Sequence, residues 1–244
     1  MTYCVGMHLE CGLVFMSDTR TNAGVDNISK ARKMFTWEKS GDRFITLMTA
    51  GNLATTQAVV SLLEERTKSP TERDPSIMRE PSMFEVARRV GSTLQEVIAA
   101  NATGSQQKAD SSFSATMILG GQIAGSEPRL FLIYPEGNFV EASTETPFFQ
   151  IGETKYGKPI LVRAYDPKMS FADATKLLLV SFDSTIKANL SVGPPLDLQT
   201  YETNSFKAGK ARRIEADDQA FRSVSDGWGD ALRTAFASLP DFDL

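Results

Sequence analysis

The chain has 244 residues, of which 41% are hydrophobic, and a formal net charge of -4. This length and apolar content suffice for a buried core, so we predict one large domain. Its 26 basic residues are scattered among 30 acidic ones, which argues against a nucleic acid partner, since nucleic acids bind basic surfaces. No apolar run is long enough to span a membrane, and the first residues lack the cationic start of a secretory signal. We therefore expect a cytoplasmic protein without a membrane partner.

Histidine and cysteine are too scarce for several kinds of catalytic site. His8 is the only histidine and lies in a predicted strand, which disfavours Ser-His-Asp and Cys-His mechanisms and excludes zinc sites with several imidazole ligands. We interpret His8 as a structural residue. Cys4 and Cys11 are too few for a disulfide framework, and we interpret both as ordinary thiols. The sequence thus predicts no metal and no other cofactor.

The first half of the chain is predicted to hold strands and then helices. Period-2 alternation and turn residues predict the strands, and a period near 3.6 predicts the helices. The second helix begins at a capping box formed by Ser82 and Glu85. In chain order, we predict a hairpin over 1–21, a strand pair over 33–38 and 43–49, a helix over 53–66, a loop over 67–81 and a helix from 82 to about 98.

The second half of the chain also shows strands and helices in separate runs. A helix begins at the Ser170-x-x-Asp173 cap and ends before Pro194 and Pro195. The other elements predicted here are strands over 112–119, 129–134, 139–142 and 196–201 and a final helix over 217–239, with a break suggested near Gly227. Strands and helices in separate runs indicate an α+β fold rather than a βαβ fold. We predict a four-layer αββα sandwich of two antiparallel sheets covered by helices.

The first 51 residues contain four residue types that amide hydrolysis can use. Removal of Met1 would make Thr2 the first residue, and a terminal Thr supplies both a hydroxyl nucleophile and an amine base. Asp18, Lys33 and Gly51 follow, the last at a strand end, where a backbone N–H can stabilise an oxyanion.

The register of the first hairpin decides which of these side chains share a face. If the loop has three residues, Glu10 to Gly12, then Thr2 lies opposite Arg20 and Cys4 opposite Asp18, and these four side chains lie on one face. A two-residue loop would place Asp18 on the other face. We expect the three-residue loop, because it brings a carboxylate close to the nucleophile.

Several short segments of the sequence form a recognisable set. They are TYCVG at 2–6, GLVFMSDTRT at 12–21, Gly24, RKM at 32–34, TAG at 49–51, FQIGETKYGKP at 149–159 and NLSVGPP at 189–195. The first of these segments resemble the start of a proteasome β subunit, and the whole set more specifically resembles the bacterial proteasome-like Anbu family, the ancestral β subunit. The similarity extends from residue 2 to about residue 203.

The resemblance implies a role for each candidate residue. Thr2 would be the nucleophile, with its own amine as proton acceptor, and Lys33 would lie close to the Thr2 hydroxyl. Asp18 would keep Lys33 charged and oriented, and Gly51 would donate its N–H to the oxyanion. Four more residues would support the site: Arg20, Glu153, Asn189 and Ser191.

Two of these supporting positions depart from the family pattern. The pair Gly152-Glu153 stands where proteasome β subunits have Ser-Gly, and Asn189 begins the segment that is otherwise Asp-x-x-Ser-Gly. The polar environment of the terminal amine is therefore altered.

The resemblance also implies a function and an assembly. We expect a threonine peptidase that forms an acyl-threonine ester and acts on peptides or unfolded protein within a large homo-oligomer, either a ring or a helix. The chain would be a single N-terminal-nucleophile domain over 1–244, with 203–244 as a C-terminal helical extension. Two alternatives stay open: a non-proteolytic scaffold, which Glu153 and Asn189 favour, and a small-molecule amidase.

Overall fold

Two antiparallel five-stranded sheets form the centre of the molecule. The computed structural model describes residues 2–22, 28–68, 76–102 and 113–242. Met1, Gly24, residues 69–75 of the predicted 67–81 loop and the first residue of the predicted strand at 112 therefore lie outside the described residues. The elements are β1 (Tyr3–Leu9), β2 (Gly12–Asp18), β3 (Arg20–Asn22), β4 (Ile28–Lys30), β5 (Met34–Lys39), β6 (Arg43–Gly51), α1 (Leu53–Lys68), α2 (Met83–Ala102), β7 (Ala115–Ile123), β8 (Arg129–Ile133), β9 (Phe139–Glu141), β10 (Phe148–Gly152), α3 (Lys158–Ala164), α4 (Phe171–Ala188), β11 (Leu196–Glu202), β12 (Ala211–Ile214) and α5 (Gln219–Ala237).

The layers follow the order predicted from the sequence. The first sheet has the order β10-β1-β2-β11-β12 and the second the order β5-β6-β7-β8-β9, while β3 and β4 form a separate ribbon. One apolar cluster joins the second sheet to α1 and α2, and another joins the first sheet to α3, α4 and α5. A third cluster fills the space between the sheets. The molecule is thus a four-layer αββα sandwich.

Alternate side chains of β1 belong to two different apolar clusters, one under the helices of the first sheet and one between the sheets. Tyr3 and Val5 face the helices on the first sheet, whereas Cys4 lies between the sheets. The two sheets approach closely where side chains are missing, because a Cβ added at Gly120 would lie 2.6 Å from the Phe15 ring. β1 is therefore buried on both faces except at His8, which is half-buried.

The hairpin register differs from the expected one by a single residue. Leu9 pairs with Gly12 and Cys4 with Ser17, so the turn consists of two residues, Glu10 and Cys11. The expectation of a three-residue loop was wrong. Asp18 consequently belongs to the face of Tyr3 and not to the face that Cys4 shares with Thr2.

The capping predictions are confirmed at both helices. Ser82 Oγ accepts from the Glu85 N–H at 3.2 Å at the start of α2. Ser170 Oγ accepts from the Asp173 N–H at 3.1 Å at the start of α4. These side chains satisfy backbone donors that the first helical turn leaves free.

The C-terminal stretch is not helical throughout. It includes the strand β12, which pairs with β11 and widens the first sheet. The helix α5 runs without interruption past Gly227 and Gly229, so the predicted break was wrong. None of the helices in the described part of the chain has the length and apolarity needed to cross a membrane.

Candidate active site

Asp18 and Lys33 form a buried ion pair where β2 ends and β5 begins. Lys33 Nζ lies 2.6 Å from Asp18 Oδ1, and both side chains are almost fully buried. The ammonium also donates to the carbonyl oxygen of Arg20 at 2.6 Å. The Tyr3 N–H donates to the same Asp18 Oδ1 at 2.9 Å. The carboxylate therefore binds the peptide group that joins Thr2 to Tyr3.

Burial is the main influence on the pKa values of the Asp18 carboxyl and the Cys4 thiol. It raises the pKa of the Asp18 carboxyl, while the Lys33 ammonium and the Tyr3 N–H act in the opposite direction. Burial also raises the pKa of the Cys4 thiol far above its usual range. Cys4 is thus a neutral thiol, donating to the Thr49 carbonyl at 3.8 Å, and does not compete with Thr2 as a nucleophile.

Thr2 is half-buried and held through its own carbonyl group. The Glu153 N–H donates to Thr2 O at 2.7 Å. Gly152 makes this approach possible: its φ is +84°, and a Cβ at this position would lie 1.9 Å from Thr2 O. A side chain at residue 152 would therefore push the end of β10 away from Thr2.

Gly51 ends β6 at the same end of the sandwich. Its φ is +112°, and an added Cβ would lie 2.5 Å from Ser114 O, so only glycine fits this backbone. Two residues earlier, the Thr49 N–H donates to Lys33 O at 2.9 Å. Gly51 therefore lies two residues along β6 from the backbone bond to Lys33.

A second polar group surrounds Glu153, which is only 9% exposed. Asn189 Nδ2 donates to Glu153 Oε2 at 3.0 Å, and the Lys155 N–H donates to Oε1 at 3.2 Å. The Ser191 N–H in turn donates to Asn189 Oδ1 at 2.9 Å. Ser191 therefore takes part through its backbone, and the three supporting residues lie together as one group.

Arg20 connects the Asp18–Lys33 pair to the polar group around Glu153. Its Nη1 donates to Leu190 O at 2.7 Å, while its carbonyl accepts from Lys33. Gly193 leaves room for the guanidinium, because a Cβ there would lie 2.6 Å from Arg20 Cζ. The turn over 189–193 is thus fixed against β3 on one side and Glu153 on the other.

Sequence reasoning missed the buried network around the Tyr3 hydroxyl. This hydroxyl lies 2.7 Å from Ser181 Oγ and accepts from Gln150 Nε2 at 2.5 Å. Burial raises its pKa to about 12. Tyr3 looks like an ordinary strand residue in the sequence, and only its position directly after Thr2 could have drawn attention to it.

Metal chemistry has no evident site. Within residues 2–22, 28–68, 76–102 and 113–242, no three His, Cys, Asp or Glu side chains are grouped to hold a metal ion.

Comparison with known proteins identifies the family. The proteasome subunit family profile matches residues 2–198. The chain is 45% identical to Anbu (ancestral beta-subunit) from Yersinia bercovieri, with a TM-score of 0.92 and 99% of each chain covered. It belongs to the Anbu family of proteasome-like proteins.

Two further Anbu structures support this assignment. A mutant of Anbu from Hyphomicrobium sp. strain MC1 is 49% identical, with a TM-score of 0.93 and 100% of both chains covered. The Anbu complex from Pseudomonas aeruginosa, described as a helical assembly, is 43% identical, with a TM-score of 0.91 and coverage of 99% of this chain and 98% of that one. A comparison with curated protein sequences gave no match.

Proposed function

We propose that this Anbu protein is a threonine hydrolase that cleaves amide bonds through Thr2 once Met1 has been removed. The observation that carries the proposal is the buried Asp18–Lys33 pair, which binds the backbone of the residue that follows Thr2. Buried charged pairs of this kind occur at sites that must favour one protonation state.

The catalytic step would use the chemistry of a terminal threonine. The α-amine accepts the hydroxyl proton, and Thr2 Oγ attacks the carbonyl carbon of the substrate. The Lys33 ammonium favours the developing negative charge on Oγ, and Asp18 keeps that ammonium charged. The Gly51 N–H donates to the oxyanion of the tetrahedral intermediate. The protonated amine then gives its proton to the leaving amine, and an acyl-threonine ester remains.

Release of the acyl group would reverse these roles. Water attacks the ester carbonyl while the α-amine accepts the water proton, and the proton returns to Thr2 Oγ as the carboxylic acid leaves. No metal or other cofactor takes part in either half of this reaction.

We further propose that the chain assembles with copies of itself into a large oligomer. The Pseudomonas aeruginosa relative is described as a helical assembly. In this chain, Phe236 at the end of α5 is 78% exposed and Phe242, in the segment that follows α5, is 85% exposed. Soluble monomers rarely leave such apolar patches uncovered. Enclosure by neighbouring subunits would restrict substrates to peptides and unfolded chains.

Intact mass before and after a peptide epoxyketone tests the hydrolase. We expect a Met-free species that gains one inhibitor mass, together with hydrolysis of fluorogenic peptides. Thr2→Ala should lose both the adduct and the hydrolysis, whereas Thr2→Ser should keep both at a reduced rate. Hydrolysis that persists in Thr2→Ala would rule out Thr2 as the nucleophile.

A non-proteolytic scaffold is the second candidate. The observation in its favour is that a buried carboxylate, Glu153, lies beside Thr2 where proteasome β subunits carry small neutral residues. Retention of Met1 together with the absence of any adduct would support the scaffold. A small-molecule amidase would react with the inhibitor but prefer small acylated amines over peptides.

A further inference from the structure

Glu153 is a buried carboxylate that directly follows the last paired residue of β10. In the β1–β10 ladder Tyr3 pairs with Gly152, so Glu153 is the cross-strand neighbour of Thr2. The bond from its N–H to Thr2 O, 2.7 Å long, confirms this position.

All partners that Glu153 has in the structure are neutral. They are the Asn189 amide and the Lys155 N–H, and within the described residues Glu153 forms no salt bridge. A carboxylate has about four acceptor positions, and two are used. A buried charge without a counter-charge is unfavourable, so a cation is expected here.

The amide of Asn189 is oriented to meet an ionised carboxylate. Its Oδ1 accepts from the Ser191 N–H at 2.9 Å, which turns Nδ2 towards Glu153. Since Nδ2 can only donate, Glu153 Oε2 must accept. The turn over 189–193 therefore presents a hydrogen-bond donor to the Glu153 carboxyl group.

The cationic side chains near Thr2 form no ion pair with Glu153 among the described residues. Lys33 pairs with Asp18, and the Arg20 guanidinium donates to Leu190 O. The side chain of Lys155 is exposed. The cation that remains is the α-ammonium that Thr2 acquires when Met1 is removed.

We propose that Glu153, held by Asn189, is the counter-charge and positioning residue of the Thr2 α-amine. This inference rests on the proposed function in one respect only, namely that Thr2 becomes the first residue. Glu153 acts through the amine and does not touch the substrate.

The arrangement makes the terminal amine a pH-dependent base. A carboxylate nearby favours the ammonium form and raises the pKa of the amine above its ordinary value of about 7.7–8.0. Asp18 adds to this field, and Lys33 and Arg20 oppose it. Because only the neutral amine accepts a proton, hydrolysis should increase with pH through the raised pKa.

The titration of the amine can be measured without any hydrolysis. The assembled chain is prepared with Thr2 as its first residue by cleavage of a fusion, and its mass is verified. Trace acetic anhydride is then added at a series of pH values, and mass spectrometry of the N-terminal peptide gives the acetylation rate, which follows the neutral amine.

We expect the midpoint to fall by about one pH unit in Glu153→Gln, so that this variant is acetylated about tenfold faster than wild type below both midpoints. Glu153→Ser should show the same fall, which guards against misfolding of either variant. Glu127→Gln removes the same charge from the exposed turn after β7. That turn lies at the other end of the second sheet from Gly51. The amine midpoint of Glu127→Gln should therefore equal that of wild type.

The results separate this inference from the proposed function. Equal midpoints in wild type, Glu153→Gln and Glu153→Ser would overturn the inference, whether or not the protein hydrolyses amides. A lowered midpoint without hydrolysis in any variant would support the inference and argue against the hydrolase. If both hold, the pH dependence of hydrolysis should shift to lower pH in Glu153→Gln and in Glu153→Ser, but not in Glu127→Gln.

Discussion

Lys33 is the only basic side chain found against the buried Asp18 carboxylate, among the residues described. Lys33→Met would remove the counter-charge and leave the carboxylate buried. We expect the free energy of unfolding at neutral pH to fall by about 3–5 kcal/mol. Adding Asp18→Asn should recover part of this loss, since no uncompensated charge then remains. Denaturant unfolding of the two single variants and the double variant measures these changes.

The loss in Lys33→Met should depend on pH in a definite direction. Burial raises the pKa of Asp18, and without Lys33 less opposes this shift. A raised folded-state pKa means that the folded form binds the proton more tightly. The loss of unfolding free energy in Lys33→Met should therefore shrink as pH falls through that pKa.

Lys39→Met is the control, because it breaks an exposed pair with Asp42 and should cost less than about 1 kcal/mol. A Lys33→Met variant as stable as wild type at neutral pH would contradict this account.

Gly152 allows a direct test of how Thr2 is positioned. Gly152→Ala would add a Cβ 1.9 Å from Thr2 O at a φ of +84°. Gly125 has nearly the same φ, +83°, with nothing within 4 Å of the added Cβ. Both substitutions should therefore cost about 1–2 kcal/mol of backbone strain, but only Gly152→Ala should also slow formation of the epoxyketone adduct. Equal adduct rates in the two variants would show that β10 does not position Thr2.

At the scale of elements, the first hairpin shows where sequence patterns stop being informative. β1 and β2 are buried on both faces, so alternation does not distinguish one register from the next. The expected register was off by one residue, yet the carboxylate still reaches the site. Asp18 does so by binding the backbone N–H of Tyr3 instead of sharing a face with Thr2.

Other parts of the structure left little trace in the sequence. β10, β12 and α3 are short, and short segments carry weak periodicity. The glycines of α5 suggested a break, but a glycine in a helix costs only about 1 kcal/mol. The order of residue types in the first 51 positions and the resemblance to a known family both predicted Thr2 and its partners. Hydrogen bonds to backbone atoms, such as the one from Arg20 to Leu190 O, have no sequence signal.

The cap of α5 is testable by a matched pair of substitutions. Asp218 accepts from the Phe221 N–H at 3.1 Å and pairs with Arg212. We expect Asp218→Ala to lower stability by about 0.5–2 kcal/mol and Asp218→Asn to lower it less, because Asn caps equally well. Hydrogen exchange of the first α5 amides would report the fraying.

This cap also has a defined pH dependence. The Phe221 N–H and, to a lesser extent, Arg212 lower the pKa of Asp218. A lowered folded-state pKa stabilises the protein above the unfolded value of about 3.9, and this contribution disappears as pH falls through the folded pKa. The difference between wild type and Asp218→Ala should therefore be constant at neutral pH and narrow in acid. A difference that widened in acid would contradict this explanation.

At the scale of the whole molecule, the candidate active site and the proposed assembly surface lie on different parts of the chain. The candidate catalytic residues come from β2, β6 and the segments just before β1 and β5. Exposed apolar side chains lie in the second half of α5 and just beyond it, at Leu232, Phe236, Leu239 and Phe242. The first half of α5 packs through Phe221 against the apolar cluster on the helix-covered face of the first sheet. Changes at the end of α5 should therefore alter assembly without altering the fold or the charges around Thr2.

The exposed end of α5 gives the sharpest test of self-assembly. Phe236→Asp would place a charge in the apolar stripe that ends at Leu239 and Phe242. If this stripe contacts a second copy, the loss of a buried Phe, about 1.5–3 kcal/mol, weakens each contact tenfold or more. Thr234→Asp adds the same charge to the opposite side of this helix, about 200° away, and should leave assembly unchanged. Sedimentation velocity should show small species for Phe236→Asp alone, and equal sedimentation of the two variants would place the subunit contact elsewhere.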